Sequence, residues 1–175
     1  MEMILETQRL SLREIRQSDF PALCLILQDE EVMYAYGRAF DDAETQSWLD
    51  KQLQRYRETG VGLWATVLKE TGEMIGLCGL IVQDCDGEQV LEIGYFLQKA
   101  HWHRGYATEA AAACKRYAFE ALGASEVCSI IREDNIASQN VAIRNGMTVR
   151  KRYLKQDGYG MGRAHLVFAA EKESP

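Results

Sequence analysis

Proline is scarce in this chain, with two among 175 residues, and with hydrophobic residues at 47% this excludes a disordered, proline-rich linker and indicates an ordinary globular composition. At this length one domain spanning residues 1–175 is expected, long enough to bury about two-thirds of its unfolded surface. Basic charge is in deficit: the formal net charge is −6. No basic stripe with interleaved aromatics is present, so no nucleic-acid partner is expected. The overall acidity suits a cationic partner such as an amine slightly better. No apolar run approaches the ~20 residues needed to span a bilayer, and the start, MEMILETQRL, lacks the pattern of a signal peptide. No membrane association is expected. The five cysteines, Cys24, Cys78, Cys85, Cys114 and Cys128, are odd in number and form no CxxC pair. A cytoplasmic location is therefore expected rather than a disulfide framework. His101 and His103 form an H-x-H without Cys, Asp or Glu at ligand spacing, so no metal site is expected.

Several phosphate motifs are also missing. There is no GxxxxGK[ST], and no GxGxxG follows a first strand, which disfavours a Walker-type site and a dinucleotide fold.

What is present is a regular alternation of elements. Thr7 to Ile15 alternates polar and apolar residues as a strand does. Asp19 and Pro21 mark the start of a helix in DFPALCLILQ. After EEVMYAYG, the segment DDAETQSWLDKQLQRYRETG reads as an amphipathic helix with Trp48, Leu49, Leu53 and Tyr56 on one face, closed by Gly60. Three strand-like runs, LWATVLKE, EMIGLCGLIVQD and QVLEIGYFL, are punctuated by turn dipeptides and predict an antiparallel meander. An alanine-rich helix from Tyr106 to Leu122 follows, then a strand (SEVCSIIRE), a helix (SQNVAIRNG) and two final strands around QDGYGMG. The fold class is α+β, a single mixed, mostly antiparallel central sheet flanked by helices.

The junction HWHRGYATEA is the most informative stretch. A strand ends, a glycine intervenes, and a helix opens on small residues. The first amides of a helix have no internal partners and carry partial positive charge, so they suit a phosphate that approaches over a glycine. The alternative is a tight connection with no ligand.

HWHRGYATEA resembles the pyrophosphate-binding motif of the GNAT-superfamily N-acetyltransferases, Q/R-x-x-G-x-G/A. Gly105 and Ala107 match its last two positions, and Trp102 stands where Gln or Arg is usual. That departure resembles the RimJ/RimL-like branch, which modifies ribosomal-protein N-termini. DNIASQNVAIRNGM is similar to the same branch's N-x-x-S-x-x-V-x-x-R/K-x-G-F, with Asn135, Ser138, Val141, Arg144 and Gly146 in register and Met147 at the aromatic position. TQRLSLRE and LEIGYFL resemble two of its strands.

The resemblance implies direct transfer of an acetyl group from acetyl-CoA to an amine, either a protein N-terminus or a small molecule, by a monomer or homodimer. It implies that backbone amides of Arg104, Gly105, Tyr106, Ala107 and Thr108 hold the pyrophosphate. It also implies that the strand Val90 to Leu97 carries a bulge, with Gly94 as a candidate position, and pairs with the pantetheine arm. An amide near Phe96 or Leu97 would polarise the thioester carbonyl, and Asn135 would bond the arm. Glu92 is the candidate general base, because it is the only charge in an apolar strand and burial raises a carboxyl pKa. Its alternative is a structural ion pair or an exposed edge position. A lysine-like amine costs about 4.6 kcal/mol to deprotonate at pH 7, and an α-amine only about 1 kcal/mol. Many relatives place a tyrosine proton donor where this chain has Ala142. The branch instead implies Ser138 as donor to the departing thiolate, the alternative being that Ser138 only caps its helix. The missing tyrosine also leaves open a non-catalytic acyl-CoA-binding or regulatory module.

Overall fold

The computed structural model describes residues 3–156 and 162–173. Eight strands form one sheet in the order β1-β2-β3-β4-β5-β6-β8-β7. They are β1 (Met3–Glu6), β2 (Leu10–Arg13), β3 (Leu63–Leu68), β4 (Met74–Cys85), β5 (Glu88–Leu97), β6 (Glu126–Arg132), β7 (Thr148–Gln156) and β8 (Gly162–Glu171). Every neighbouring pair is antiparallel except β5 and β6. The expected mixed, mostly antiparallel sheet and the β3–β4–β5 meander are therefore present.

The helices are α1 (Phe20–Leu27), α2 (Glu30–Met33), α3 (Asp42–Thr59), α4 (Tyr106–Glu120) and α5 (Ile136–Arg144). Pro21 stands in the first turn of α1, and a left-handed Gly60 ends α3. Strand alternation sorts the core. Leu63 and Ala65 of β3 join Leu23, Ile26, Leu27 and Leu49 beneath α1 and α3. Trp64, between them in sequence, joins Ala110, Ala111, Cys114 and Ala118 of α4 on the other face. The Ala and Cys stripe lets α4 lie close to β4 and β5. Tyr56 of α3 joins the layers: its hydroxyl donates to the Leu63 carbonyl and accepts from the Ile15 amide.

Two element boundaries differ from the sequence reading. Thr7 to Ile15 is not one strand. Thr7 turns the chain, its amide donating to the Leu10 carbonyl at 2.9 Å and its hydroxyl accepting from the Leu10 amide at 2.9 Å. The residues before it form β1, an additional edge strand. Helix α4 ends at Glu120, two residues short of Leu122. Asp19 precedes α1, but its carboxylate is engaged by the Arg16 amide and the Arg13 guanidinium rather than by the helix. Tyr159 and the turn around it lie outside the described residues.

Candidate active site

The feature that makes a site is a failure of pairing. β4 and β5 pair without interruption from Gly76 opposite Leu97 to Cys85 opposite Glu88. The parallel contact of β5 with β6 consists of one pair, Glu92 with Cys128. Beyond it the two strands part, and the opening lies in a cleft of about 1170 Å³. The expected irregularity at Gly94 is corrected in kind. Gly94 sits in continuous register with Gly79, and the departure is on the β6 side.

Alternation along β5 decides which groups face that opening. In antiparallel pairing both polar groups of a residue point the same way, and successive residues point oppositely. The Gln98 amide donates to the Ile75 carbonyl of β4 at 2.9 Å, so even-numbered residues of this run face β4. Odd-numbered ones face the opening. Ser129 Oγ donates to the Ile93 carbonyl at 2.8 Å and the Trp102 indole to the Leu97 carbonyl at 3.0 Å, both from that side. The Phe96 amide is therefore directed at β4, opposite Leu77, and is withdrawn as a carbonyl-polarising group. The amides of Tyr95 and Leu97 stand on the open edge.

Side chains alternate too. Ile93, Tyr95 and Leu97 pack on the α4 face, whereas Phe96 packs on the α3 face. Glu92 shares that second face with Phe96 by the two-residue period. Its carboxylate reaches into the gap, where Oε1 accepts from the Ile130 amide of β6 at 3.2 Å and Oε2 from Gln83. Burial pushes its pKa up to about 7, against the opposing pull of the Ile130 amide and of Lys155 and Arg55. Glu92 is paired with no cation at contact distance among the described residues, so the ion-pair alternative does not describe it.

The phosphate end is built from β5, the connection and α4. Gly105 is the N-cap of α4 with φ +79°, a left-handed conformation that favours glycine. The Glu109 amide is the first to bond back, to the Gly105 carbonyl at 3.0 Å. The preceding amides of Tyr106, Ala107 and Thr108 stand at the positive end of a fifteen-residue helix. Together with the unpaired β5 edge, this cradle fits a ligand carrying a pyrophosphate and an extended amide-bearing arm.

Arg9, which the sequence reading did not single out, holds the cradle. Its guanidinium bonds Glu109 at 2.6 Å and the Arg104 carbonyl at 3.0 Å, and it lies 4.5 Å over the Tyr106 ring. Thr7 Oγ1 donates to the same Glu109 carboxylate at 2.6 Å. Only the β1–β2 turn brings these groups within reach, so no local signal announces them. Replacing Arg9 by Ala is expected to weaken acetyl-CoA binding about three- to tenfold in calorimetry. The unfolding free energy should fall by no more than ~1 kcal/mol, since the Arg9 side of the pair is exposed.

The histidines diverge. His103 is exposed beside the loop, but His101 is 8% exposed and turns its Nε2 toward Glu73 at 3.3 Å. Trp102 packs partly against the core. Among the described residues no group of three His, Cys, Asp or Glu is close enough to hold a metal ion.

At the other end, Asn135 and not Ser138 caps α5: Asn135 Oδ1 accepts from the Ser138 amide at 3.2 Å. Ser138 is the third helical residue, and its hydroxyl is not used as a cap. Tyr95, also missed in the sequence, reaches across from β5 and donates to the Ser138 carbonyl at 2.7 Å. It fixes the start of α5 against the open strand. Ser138, Asn135, Gly105 and Glu92 all line the one cleft. The residues of MYAYG divide between core and cleft. Met33 is core, whereas Tyr36 is 62% exposed to the cleft, its ring centroid 5.1 Å from that of Phe96.

This geometry agrees with what similar proteins carry. A family model described as an acetyltransferase (GNAT) domain matches residues 9–148. The chain is 31% identical to YoaA of Bacillus subtilis (strain 168), described as an uncharacterized N-acetyltransferase, over 89% of this chain and 90% of that one. Among solved structures, an acetyltransferase from Agrobacterium tumefaciens is 30% identical with a TM-score of 0.82, covering 98% of this chain and 95% of its own. A RimL ribosomal L7/L12 alpha-N-protein acetyltransferase, solved in complex with coenzyme A, aligns with a TM-score of 0.78 over 97% of this chain and 98% of its own. Its 21% identity makes that a likeness of fold. The parted β5 and β6, the glycine-opened α4 and the match over residues 9–148 lead to one assignment: this chain belongs to the GNAT acetyltransferase family, enzymes that take their acetyl group from acetyl-CoA.

Proposed function

We propose that the protein is an N-acetyltransferase of the RimJ/RimL-like type that moves the acetyl group directly onto a primary amine, with Glu92 as general base. The observation that carries this reading is the Glu92 carboxylate, set in the mouth of the β5–β6 opening with a pKa near the working pH. Acetyl-CoA supplies the activated acyl group. The amides of Arg104 to Thr108 hold its pyrophosphate, and the open edge of β5 at Tyr95 and Leu97 aligns the arm. The Leu97 amide polarises the thioester carbonyl. Glu92 accepts the amine proton as nitrogen attacks, and the C–S bond breaks as the tetrahedral adduct collapses.

The departing thiolate receives its proton through Ser138, whose hydroxyl is free of the capping role and regains a proton from solvent as it gives one up. Asn135 has given Oδ1 to the helix, so its amide donors are what remain for the arm. Ser138→Ala is expected to lower kcat about tenfold, less than the usual effect of a lost acid because a thiolate leaves readily. Helicity should be unchanged, because Asn135 holds the cap. The overall test is thiol release on mixing protein, acetyl-CoA and a panel of peptide N-termini and small amines. Release with at least one amine class is expected. Tight acetyl-CoA binding without release from any amine would favour the non-catalytic module instead.

A further inference from the structure

The cleft that holds Glu92 carries a charge that the net −6 of the chain does not foreshadow. Arg55 of α3, Lys155 of β7, and Arg163 and His165 of β8 all line the same cleft as Glu92. Arg55 lies far in sequence from the other three, and the sheet order places β7 and β8 just beyond β6. Few carboxylates oppose them. Glu31 bonds Lys99, and Glu92, held by the neutral Gln83 and the Ile130 amide, is the one carboxylate that Arg55 and Lys155 both face. Arg55 and Lys155 have no side-chain hydrogen bond or ion pair among the described residues, yet both act on the charge of Glu92. His165 feels the same crowding. Burial first, then Lys155 and Arg132, hold its pKa below the ordinary value, which favours the neutral ring.

With Arg55 and Lys155 facing the single carboxylate of Glu92, the cleft keeps an excess of positive charge, which repels a polyamine and favours an acceptor that brings its own negative charge. Resting on the acetyl-transfer reading, we infer that the acceptor is a primary amine carrying a carboxylate, placed so that the amine meets Glu92 while the carboxylate meets Arg55 and Lys155. A free amino acid and an acidic peptide N-terminus share this chemistry. The slight preference for a cationic partner suggested by net charge is reversed at the site, because the excess acid lies elsewhere on the surface.

The test uses amines in matched pairs: alanine and alaninamide, an N-terminal Asp peptide and its Asn counterpart, with spermidine as the polycation. Thiol release is followed with acetyl-CoA saturating. At least one carboxylate member should exceed its carboxamide partner about tenfold in kcat/KM, and exceed spermidine by more. In the double variant Arg55→Gln, Lys155→Gln the ratio should fall to within about twofold, with the acetyl-CoA Kd unchanged. Which pair shows the larger ratio tells the free amino acid from the peptide. Equal rates within both pairs, faster turnover of spermidine, or a ratio untouched by the double variant would overturn the inference. If no amine releases thiol, the transfer reading fails separately. The charge preference is then read from calorimetric binding of the same pairs to protein saturated with coenzyme A, with the same outcomes for and against.

Discussion

Replacing Gly105 by Glu is expected to abolish measurable acetyl-CoA binding, a loss of at least about 100-fold in affinity, or ~2.7 kcal/mol. Two effects add. The left-handed φ of +79° strains any side-chain-bearing residue by roughly 1–2 kcal/mol. A carboxylate at the start of α4 also competes with phosphate oxygens for the same three amides and repels their charge. Gly105→Ala separates these contributions. An added Cβ meets only Arg9 Nη2, at 3.5 Å, an ordinary contact, so the alanine variant carries the strain without the charge. It should bind roughly ten times more weakly than the natural protein, and far better than the glutamate variant. Calorimetry with acetyl-CoA reads both, and circular dichroism confirms that each variant is folded. Equal affinity of the glutamate variant and the natural protein would remove the pyrophosphate from the α4 end.

Replacing Glu92 by Gln is expected to lower kcat/KM by about 10²- to 10³-fold, within the range for loss of a general base. The pH profile carries more information than the magnitude. The carboxylate is the active form, and its pKa of about 7 makes activity fall as the pH drops below that value. The acceptor amine must also be neutral, so two deprotonations govern the acid limb. A log–log slope approaching two below pH 7 should become one in the variant, leaving only the amine. An unchanged slope would show that Glu92 is not the base.

Stability should move the other way. A carboxyl whose folded pKa is raised above its unfolded value holds its proton more tightly in the native state. The cost of ionising it is absent below about pH 4.5, grows as pH rises, and is complete above about pH 7. The full shift corresponds to at most ~3 kcal/mol, and because the carboxyl is partly open to the cleft about 1–2 kcal/mol is expected. The Gln variant, which can still accept from the Ile130 amide, should melt higher than the natural protein at pH 8 and no higher at pH 4.5. Gain of stability with loss of turnover is what a group retained for chemistry produces.

The fold was largely legible because its signals are local. The two-residue alternation of the meander, the capping of α3 and the glycine before α4 each act over a few residues, and the motifs around Gly105 and Asn135 add their spacing. The opening TQRLSLREI was misread because a period-two pattern says nothing about a turn inside it. The bonds of Thr7 with Leu10 make that turn. Ser138 and Asn135 both suit a cap by residue type, and only the hydrogen bond from the Ser138 amide decides between them.

The fold class, the strand–glycine–helix unit at Gly105 and the lone charge of Glu92 in its apolar strand are readable from the amino acids, because each depends on periodicity or on the chemistry of one residue. Their surroundings are a product of folding. The parting of β5 from β6 leaves the Leu97 amide, and not that of Phe96, on the open edge, since register sets which way a peptide points. The turn between β1 and β2 brings Arg9 under the phosphate loop across a separation of 95 residues. The order of the sheet sets Lys155 and Arg55 around Glu92, reversing at the site the charge that composition suggests. Local bonding and burial are written in short stretches of chain, whereas the field at a point is the sum over residues that only folding makes neighbours.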